Sequence, residues 1–377
     1  MKRLPIPEEE RFAAASHSAR VTSRIGLGLA ITFTVCFLTG LVSHLIQHPP
    51  TWFFWPSRPI WLYRVTQGLH VVSGIASIPL LLAKLWSVYP KLFGRPLVRS
   101  VPHALERLSI LVLSAATFFE LTTGLFNVAQ NYPWTFYFPQ VHYAVAWVAI
   151  GSILVHVAVK LPVLRRALTR EPAEAPVPPP AGLSRRGFLR TTWLTAGVSV
   201  VATAGATVPL LRNVSGLSWR TDHGTQGLPV NRTASAAGVR QAAQDSAWRL
   251  SVVTPAGART FSLAELRALP QTTAELPIAC VEGWSQSASW RGVAVPDLLR
   301  IVGAPPGSSI RVSSLERYGP YGVSVLPGEH TADALTLLAL ELNGEVLDLD
   351  HGFPCRVIAP NRPGVLQTKW VSKLEVL

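Results

Sequence analysis

Methionine is all but absent: Met1 is the only one in 377 residues. No thioether can therefore serve as an axial metal ligand within the chain. Cysteine is nearly as rare. Cys36, Cys280 and Cys355 are too few for a disulfide framework in a chain of this length, and no C-x-x-C-H is present to attach a haem covalently. Charge is scarce too, at 15% of residues against about a quarter in soluble domains. Hydrophobic residues reach 49% and the mean hydropathy is +0.30, which makes a membrane the first suspect. Acidic residues are thinnest in the first half: residues 1–190 carry 19 Lys/Arg against 7 Asp/Glu, and the remainder 15 against 14. The net charge of +13 thus resides almost wholly in the apolar half. That pattern fits basic flanks of membrane spans and argues against a nucleic-acid face. No internal repeat at solenoid spacing is visible, and the length suits two domains.

Four apolar runs are each long enough for about 20 residues of spanning helix: Ile25–Gln47, Ile60–Trp86, Leu108–Gln130 and Val141–Lys160. Their connections alternate in charge. Lys2, Arg3, Arg11, Arg20 and Arg24 precede the first run. Lys91, Arg95, Arg99 and Arg107 separate the second from the third, and Lys160, Arg165, Arg166 and Arg170 follow the fourth. The other two connections, "HPPTWFFWPSRPI" and "NYPWTFYFP", are aromatic and carry few charges. The basic connections are expected in the cytoplasm and the aromatic ones at the outer interface. Residues 1–170 are read as a four-helix membrane domain.

A Pro/Ala linker over residues 171–183 comes next, then "SRRGFLR" from Ser184. This stretch resembles the twin-arginine export signal, met here on the cytoplasmic side after four crossings. The plainer reading makes Arg185, Arg186 and Arg190 positive-inside anchors. Either way Thr191–Leu211 is uncharged and is expected to be a fifth span, uncleaved, that carries the rest of the chain outward. The segment is 184–211 in this reading, and the exported domain 219–377.

Histidine within a span is costly and usually functional. His70 lies in the second run, and His142 and His156 in the fourth. Fourteen residues separate the last two, which leaves them about 40° apart around a helix and about 21 Å along it. That stacks two ligands one above the other. His70 and His142 fall at matching depth, so they are the candidate pair for an outer haem b; interhelical hydrogen bonding is the alternative. The arrangement resembles the four-helix dihaem cytochrome b subunits of membrane formate dehydrogenases and hydrogenases. The resemblance implies a second haem at His156, with His17 as its partner, His103 as a substitute, and His44 as a further outer ligand or quinone-site residue.

From about Trp219 the texture changes to short strands punctuated by Gly and Pro: "WRLSVVT", "RTFSLAELRALP", "IRVSSLE", "GVSVLP", "CRVIAP", "KWVSKLEVL". An α+β domain of about 150 residues is expected, large enough for its own core. Two stretches, "PIACVEGWSQSASWRGVAVPDLL" and "LNGEVLDLDHGFPCRVIAP" with the following "GVLQTKWVSKLEV", resemble the molybdopterin domain of the sulfite oxidase family, including the periplasmic methionine sulfoxide reductase catalytic subunit. The resemblance runs from Gly227 to Leu377. It implies Cys280 as the molybdenum thiolate and the catalytic centre. It also implies pterin contacts from Asn231, Arg232, Ser314, His351, Arg356, Gln367, Thr368 and Lys369. The chemistry agrees: molybdenum takes a soft thiolate, and an anionic phosphate takes a guanidinium fork and an ammonium. Cys355 reads as buried core. Trp284 and Trp290 read as core before substrate wall, and Tyr318 and Tyr321 are candidates for the substrate pocket.

The sequence as a whole points to a multi-pass plasma-membrane protein: a helical bundle with a fifth anchoring span, then an α+β molybdopterin domain on the extracytoplasmic face. The expected activity is molybdenum-dependent oxygen-atom transfer on a sulfoxide- or sulfite-type substrate, small or protein-bound. Electrons would be exchanged with quinone through one or two haems b. The alternatives are a cofactor-free binding module and an electron-transfer cytochrome with no substrate of its own. Membrane lipid is an expected partner and nucleic acid is not.

Overall fold

The computed structural model of the chain describes residues 14–93, 98–169, 183–219, 224–319 and 321–377. Lys2, Arg3, Arg11, Arg95, Arg170 and residues 171–182 of the expected linker lie outside the described residues. The chain divides into two compact units. One comprises residues 1–41, 69–205 and 210–218, and the other residues 42–68, 206–209 and 219–377.

Four helices are long and apolar enough to cross a membrane: α1 (Ala19–Gln47), α2 (Leu62–Val88), α3 (Val101–Val128) and α4 (Phe138–Thr169). They coincide with the four apolar runs and overshoot most of them, because a helix continues into its polar flanks once nucleated. Within the first unit small polar groups hold neighbours together. Ser77 Oγ of α2 donates to Thr32 Oγ1 of α1 at 2.7 Å, and Lys84 Nζ donates to the Thr22 carbonyl at 3.0 Å.

A fifth helix, α5 (Arg185–Thr203), starts where the Arg-Arg motif does, capped by Ser184, whose Oγ accepts from Gly187 N at 3.1 Å. The continuous span expected over Thr191–Leu211 does not form. After Thr203 the chain enters short 3-10 turns at Ala204–Ala206 and Pro209–Leu211. It then folds back, so that Leu217 N donates to the Ala202 carbonyl at 2.9 Å and Ser215 Oγ to the Val201 carbonyl at 2.5 Å. Gly205 permits the reversal, since a Cβ there would lie 2.5 Å from Ser215 Cβ. Pro209 has no N–H with which to continue a helix.

The second unit is built on two sheets. The first has the order β2-β1-β10-β5-β6, from β1 (Arg249–Thr254), β2 (Gly257–Ser262), β5 (Ile310–Ser314), β6 (Val323–Leu326) and β10 (Val371–Val376). Only β1 and β10 pair in parallel. The second joins β3 (Thr272–Ala279), β4 (Ser285–Ala294), β7 (Leu337–Leu342) and β8 (Glu345–Val346), with β9 (Arg356–Ile358) also on β7. Leu250, Val252, Ile310, Val312, Val371 and Leu374 fill one core, and Leu276, Ile278, Trp290, Leu337 and Leu342 another. Alternation of buried and exposed residues on β1 and β6 marks half-buried strands, whereas β9 is buried throughout. Gly292 is required at the bulge of β4: a Cβ there would meet the Leu338 carbonyl oxygen at 2.1 Å.

The C-terminal end of α1, the N-terminal end of α2 and their connection, residues 42–68, belong to this same unit. Arg58 grips Asp333 through Nε and NH2 at 2.8 and 2.9 Å. Asn361, held at φ 54°, accepts from Tyr63 N at 2.6 Å and donates to the Pro56 carbonyl at 2.7 Å. Its own carbonyl accepts from Trp55 Nε1 at 2.8 Å.

Candidate functional site

Cys280 sits in the turn of the β3–β4 hairpin. Its backbone N–H donates to the Trp284 carbonyl at 2.8 Å, and Gly283, at φ 91°, returns a hydrogen bond of 3.0 Å to the Cys280 carbonyl. The residue is buried, and its sulfur accepts from Asn231 Nδ2 at 2.7 Å and from Glu282 N at 3.4 Å. Both donors favour the thiolate, the form that ligates a metal. Asn231 is itself oriented by Trp284 Nε1, which donates to its Oδ1 at 2.9 Å. Trp284 is thus buried, as expected, yet also orients the side chain that meets the Cys280 sulfur. The turn is backed by residues of the first turns of α2: Arg64 donates to Ser285 Oγ at 2.8 Å, Gln67 Nε2 to the Val281 carbonyl at 3.3 Å, and Tyr63 packs with Ala279.

The cations gather around Gly352. That glycine has φ 112°, and a Cβ on it would lie 3.1 Å from the Cβ atoms of both Arg356 and Lys369. Arg356 is buried over the Trp290 ring, 5.0 Å from its centre. NH1 and NH2 donate to the carbonyls of His351 and Gln367 at 3.1 and 3.2 Å, while Nε is buried with no partner. The guanidinium fork expected to face a phosphate is therefore partly committed to the backbone, because β9 carries Arg356 inward beneath the turn that follows His351. Lys369 Nζ donates to the carbonyls of Arg232 and Asp350 at 2.5 and 2.8 Å. Burial pulls Arg356 down to about 9, and burial with the Arg356 charge pulls Lys369 to about 7. Both shifts register buried cations short of counter-charge.

His351 Nε2 lies 2.7 Å from the Thr225 carbonyl, and burial takes the ring down to about 4. It is a neutral donor at physiological pH. Arg232 pairs with Glu316 at 2.8 Å. Ser314 Oγ donates to the Lys369 carbonyl at 2.8 Å. Gln367 and Thr368 turn inward: Gln367 is spent on Ala359 and the Arg362 carbonyl, and Thr368 Oγ1 lies 2.7 Å from Ser324 Oγ. Their side chains brace the loop. The Asn231–Arg232 dipeptide ties the site together, with one side chain on the Cys280 sulfur and the next carbonyl on Lys369. Cys355 is core, its thiol pushed up by burial. Tyr318 is exposed, at 89%, which does not suit a pocket wall.

This donor set fits the group that the sequence implies. A soft sulfur held by two N–H donors suits molybdenum. The unpartnered Arg356 Nε beside Lys369 suits an anionic phosphate. Sequence reasoning missed Asn361 and Arg362, in "APNRPG". Arg362 is buried and donates to the Leu366 and Val325 carbonyls at 3.2 and 2.5 Å. The Asn-Arg-Pro-Gly turn after a buried strand was the available signal.

In the helical unit His70 and His142 come together, their ring centres 6.5 Å apart and nearly perpendicular. Each ring is anchored through Nδ1, His70 to the Cys36 carbonyl at 2.8 Å and His142 to Thr123 Oγ1 at 3.0 Å. Nε2 is then the atom each ring would offer to a metal, as metal-binding histidines do, and in His142 it faces Glu120. A metal at about 2 Å from each nitrogen would put the ring centres about 6 Å apart. Gly40 makes room for His70: a Cβ there would lie 2.8 Å from the imidazole Cε1. Glu120, unforeseen from the sequence, has Oε2 3.2 Å from His142 Nε2. His156 lies on α4 within electrostatic reach of Lys84, Lys160 and Glu106. His17 lies 3.4 Å from the Ser87 carbonyl with its ring against Trp86. His103 accepts from Arg99 N at 3.2 Å, and the His44 ring lies against that of His48.

Residues 236–377 match the family model of the oxidoreductase molybdopterin binding domain. Sulfite oxidase of Arabidopsis thaliana is 34% identical over 113 residues, covering 25% of this chain and 29% of that protein. Sulfite oxidase of Gallus gallus is 31% identical over 164 residues, 36% of each. A protein of Azospira oryzae described as a candidate protein-methionine-sulfoxide reductase subunit is 33% identical over 119 residues, 31% of this chain and 43% of that one. The chain spans about a third of the length of these sulfite oxidases. Four apolar helices thus precede a sheet-rich unit whose residues 236–377 are a molybdopterin-binding oxidoreductase domain, similar to that of sulfite oxidases.

Proposed function

We propose that the chain is a membrane-bound molybdopterin-dependent oxidoreductase that performs two-electron oxygen-atom transfer on the extracytoplasmic face of the plasma membrane. The observation that carries this is the Cys280 sulfur, buried in a hairpin turn with two N–H donors, in the same domain as the buried Arg356 and the half-buried Lys369. Bound molybdopterin supplies a metal that exchanges two electrons and an oxygen atom with substrate. Cys280 would hold the metal. Arg356 Nε and Lys369 Nζ would hold the phosphate, with His351 as a neutral donor and Asn231 keeping the sulfur in its ligating form. Gln367 and Thr368 fix the loop that carries Lys369.

Electrons would reach the quinone pool through a haem b between His70 and His142, with Glu120, close to His142, placed to accept a proton from a quinol. The reading takes one haem, between His70 and His142; the His17 ring lies against Trp86 and near the Ser87 carbonyl. Substrates are a sulfoxide, small or protein-bound, or sulfite. Topology follows from the α1–α2 connection. Residues 42–68 share a compact unit with the sheet domain, which supports assigning both to one aqueous compartment. If α1–α4 all cross, α4 ends on the opposite side, and α5 must cross as well, helped by snorkelling of Arg185, Arg186 and Arg190. The Ser184–Arg190 stretch would act as an uncleaved twin-arginine signal.

The test is molybdenum, pterin and haem content of the detergent-purified protein, beside dye-linked turnover with sulfoxides and with sulfite. A protein free of molybdenum when isolated from a molybdenum-replete host would overturn the assignment. A protein with molybdenum and no haem would leave the domain assignment and remove the cytochrome.

A further inference from the structure

One feature of the helical unit is used by none of this chemistry. A pocket of about 1030 Å³ lies between the first turns of α1 and those of α5. Its wall carries Arg20 and Arg24 from α1 and Arg185, Arg186 and Arg190 from α5, with Trp193 at its side. The spacing puts Arg20 above Arg24 on one helix and Arg186 above Arg190 on the other, each pair at i, i+4. Neither helix contains an acidic residue. Among the described residues no carboxylate pairs with any of the five. Arg20 Nε is buried without a hydrogen-bond partner. Five guanidinium groups without a carboxylate among the described residues repel one another, and burying a donor with nothing to bond adds to that cost. The site is nevertheless built by close packing. Trp193 rests on Gly28 of α1, where a Cβ would lie 2.2 Å from the ring. Leu189 and Leu194 line the same pocket, and Leu194 is exposed.

Cationic forks at one end and apolar side chains along the wall match an amphiphile with a phosphate head. The position agrees, since Arg20 and Arg24 flank the start of a membrane-length helix. The α5 N-terminus adds oriented N–H groups.

We propose that this pocket binds the phosphate headgroup of an anionic phospholipid, its acyl chains lying against Leu189, Leu194 and Trp193, and that the lipid ties α5 to α1. The proposal rests on reading α1–α4 as membrane helices. Protein that purifies without detergent would refute that reading separately. A soluble phosphate has the same head chemistry without the chains, so the test separates the two.

The full-length protein, delipidated in neutral detergent, would be examined by native mass spectrometry and thermal unfolding. The additions are phosphatidylglycerol, cardiolipin, phosphatidylcholine or inorganic phosphate. The anionic lipids should bind and raise the unfolding temperature, while phosphatidylcholine and inorganic phosphate should not. Arg20→Gln with Arg24→Gln leaves the Ser184–Arg190 motif intact and should weaken anionic-lipid binding roughly thirtyfold. Arg20→Lys with Arg24→Lys keeps the flanking charge and should retain most of it. Equal binding of phosphatidylcholine, or unchanged binding in the glutamine pair, would overturn the proposal. A loss in the lysine pair as large as in the glutamine pair would overturn a charge-based site. An equal rise with inorganic phosphate alone would overturn a lipid occupant.

Discussion

Asn361→Ala should loosen the α1–α2 connection from the domain it braces. The Asn361 side chain accepts from Tyr63 N at 2.6 Å and donates to the Pro56 carbonyl at 2.7 Å. Tyr63 and Asn361 are both almost wholly buried, so water cannot readily replace either bond. Stranding a buried backbone partner costs about 1–3 kcal/mol each, hence about 4 kcal/mol for the two. The backbone adds to this, because Asn361 sits at φ 54°, where an L-residue without a short polar side chain pays about 1 kcal/mol more. A domain of this size shifts by about 2–4 °C per kcal/mol, so the unfolding midpoint should fall by roughly 10–20 °C. Asn361→Gly separates the terms: it loses the same bonds but accepts the positive φ, and should recover about 1 kcal/mol. The assay is near-ultraviolet circular dichroism of the detergent-purified protein, with protease nicking between residues 48 and 61 as a local probe. A midpoint within about 2 °C of wild type, with no new nicking, would refute the account of the connection as part of the domain.

Other consequences are equally direct. Cys280→Ser should keep its pterin, held from Arg356, Lys369 and His351, while molybdenum-dependent turnover falls by about two orders of magnitude or more; unchanged turnover would remove Cys280 from the reaction. Gly352→Ala should cost about 2 kcal/mol or more in stability and lose pterin, since its Cβ would press on Arg356 and Lys369 from a backbone at φ 112°; cofactor content and unfolding midpoint read both effects. Lys369 titrates near 7 in the fold against 10.5 for an ordinary lysine, so the folded domain holds fewer protons than the unfolded chain between those values. Stability of the cofactor-free domain should therefore rise with pH from about 7 to 10.5, and a bound phosphate should flatten that slope. Denaturation midpoints at several pH values, with and without cofactor, would decide it. His70→Ala should abolish b-type absorbance with the helices intact by far-ultraviolet circular dichroism, and an unaltered spectrum would exclude His70 as a ligand.

The four long helices were legible because each is a continuous apolar run bounded by basic or aromatic residues, a signal that needs no partner to interpret. Most strands of the second unit were legible from short β-branched runs between Gly and Pro. Cys280, Arg356 and Lys369 stood out through motif chemistry, and His70 and His142 through being polar within spans. Other features depended on residues distant in sequence. Asn361 matters because Pro56 and Tyr63, some 300 positions away, offer it an acceptor and a donor respectively. The Arg356 fork is partly spent because the His351 and Gln367 carbonyls lie under it. Glu120 meets His142 only once α3 and α4 pair. The fifth helix ended early because Gly205 and Pro209 let the chain turn back on Val201 and Ala202, a reversal that the uncharged composition of Thr191–Leu211 did not signal. Hydrophobic length and local periodicity are properties of a segment, so the sequence determined them by itself. Which buried donor meets which acceptor is a property of chain crossings, and that was decided only in the tertiary structure.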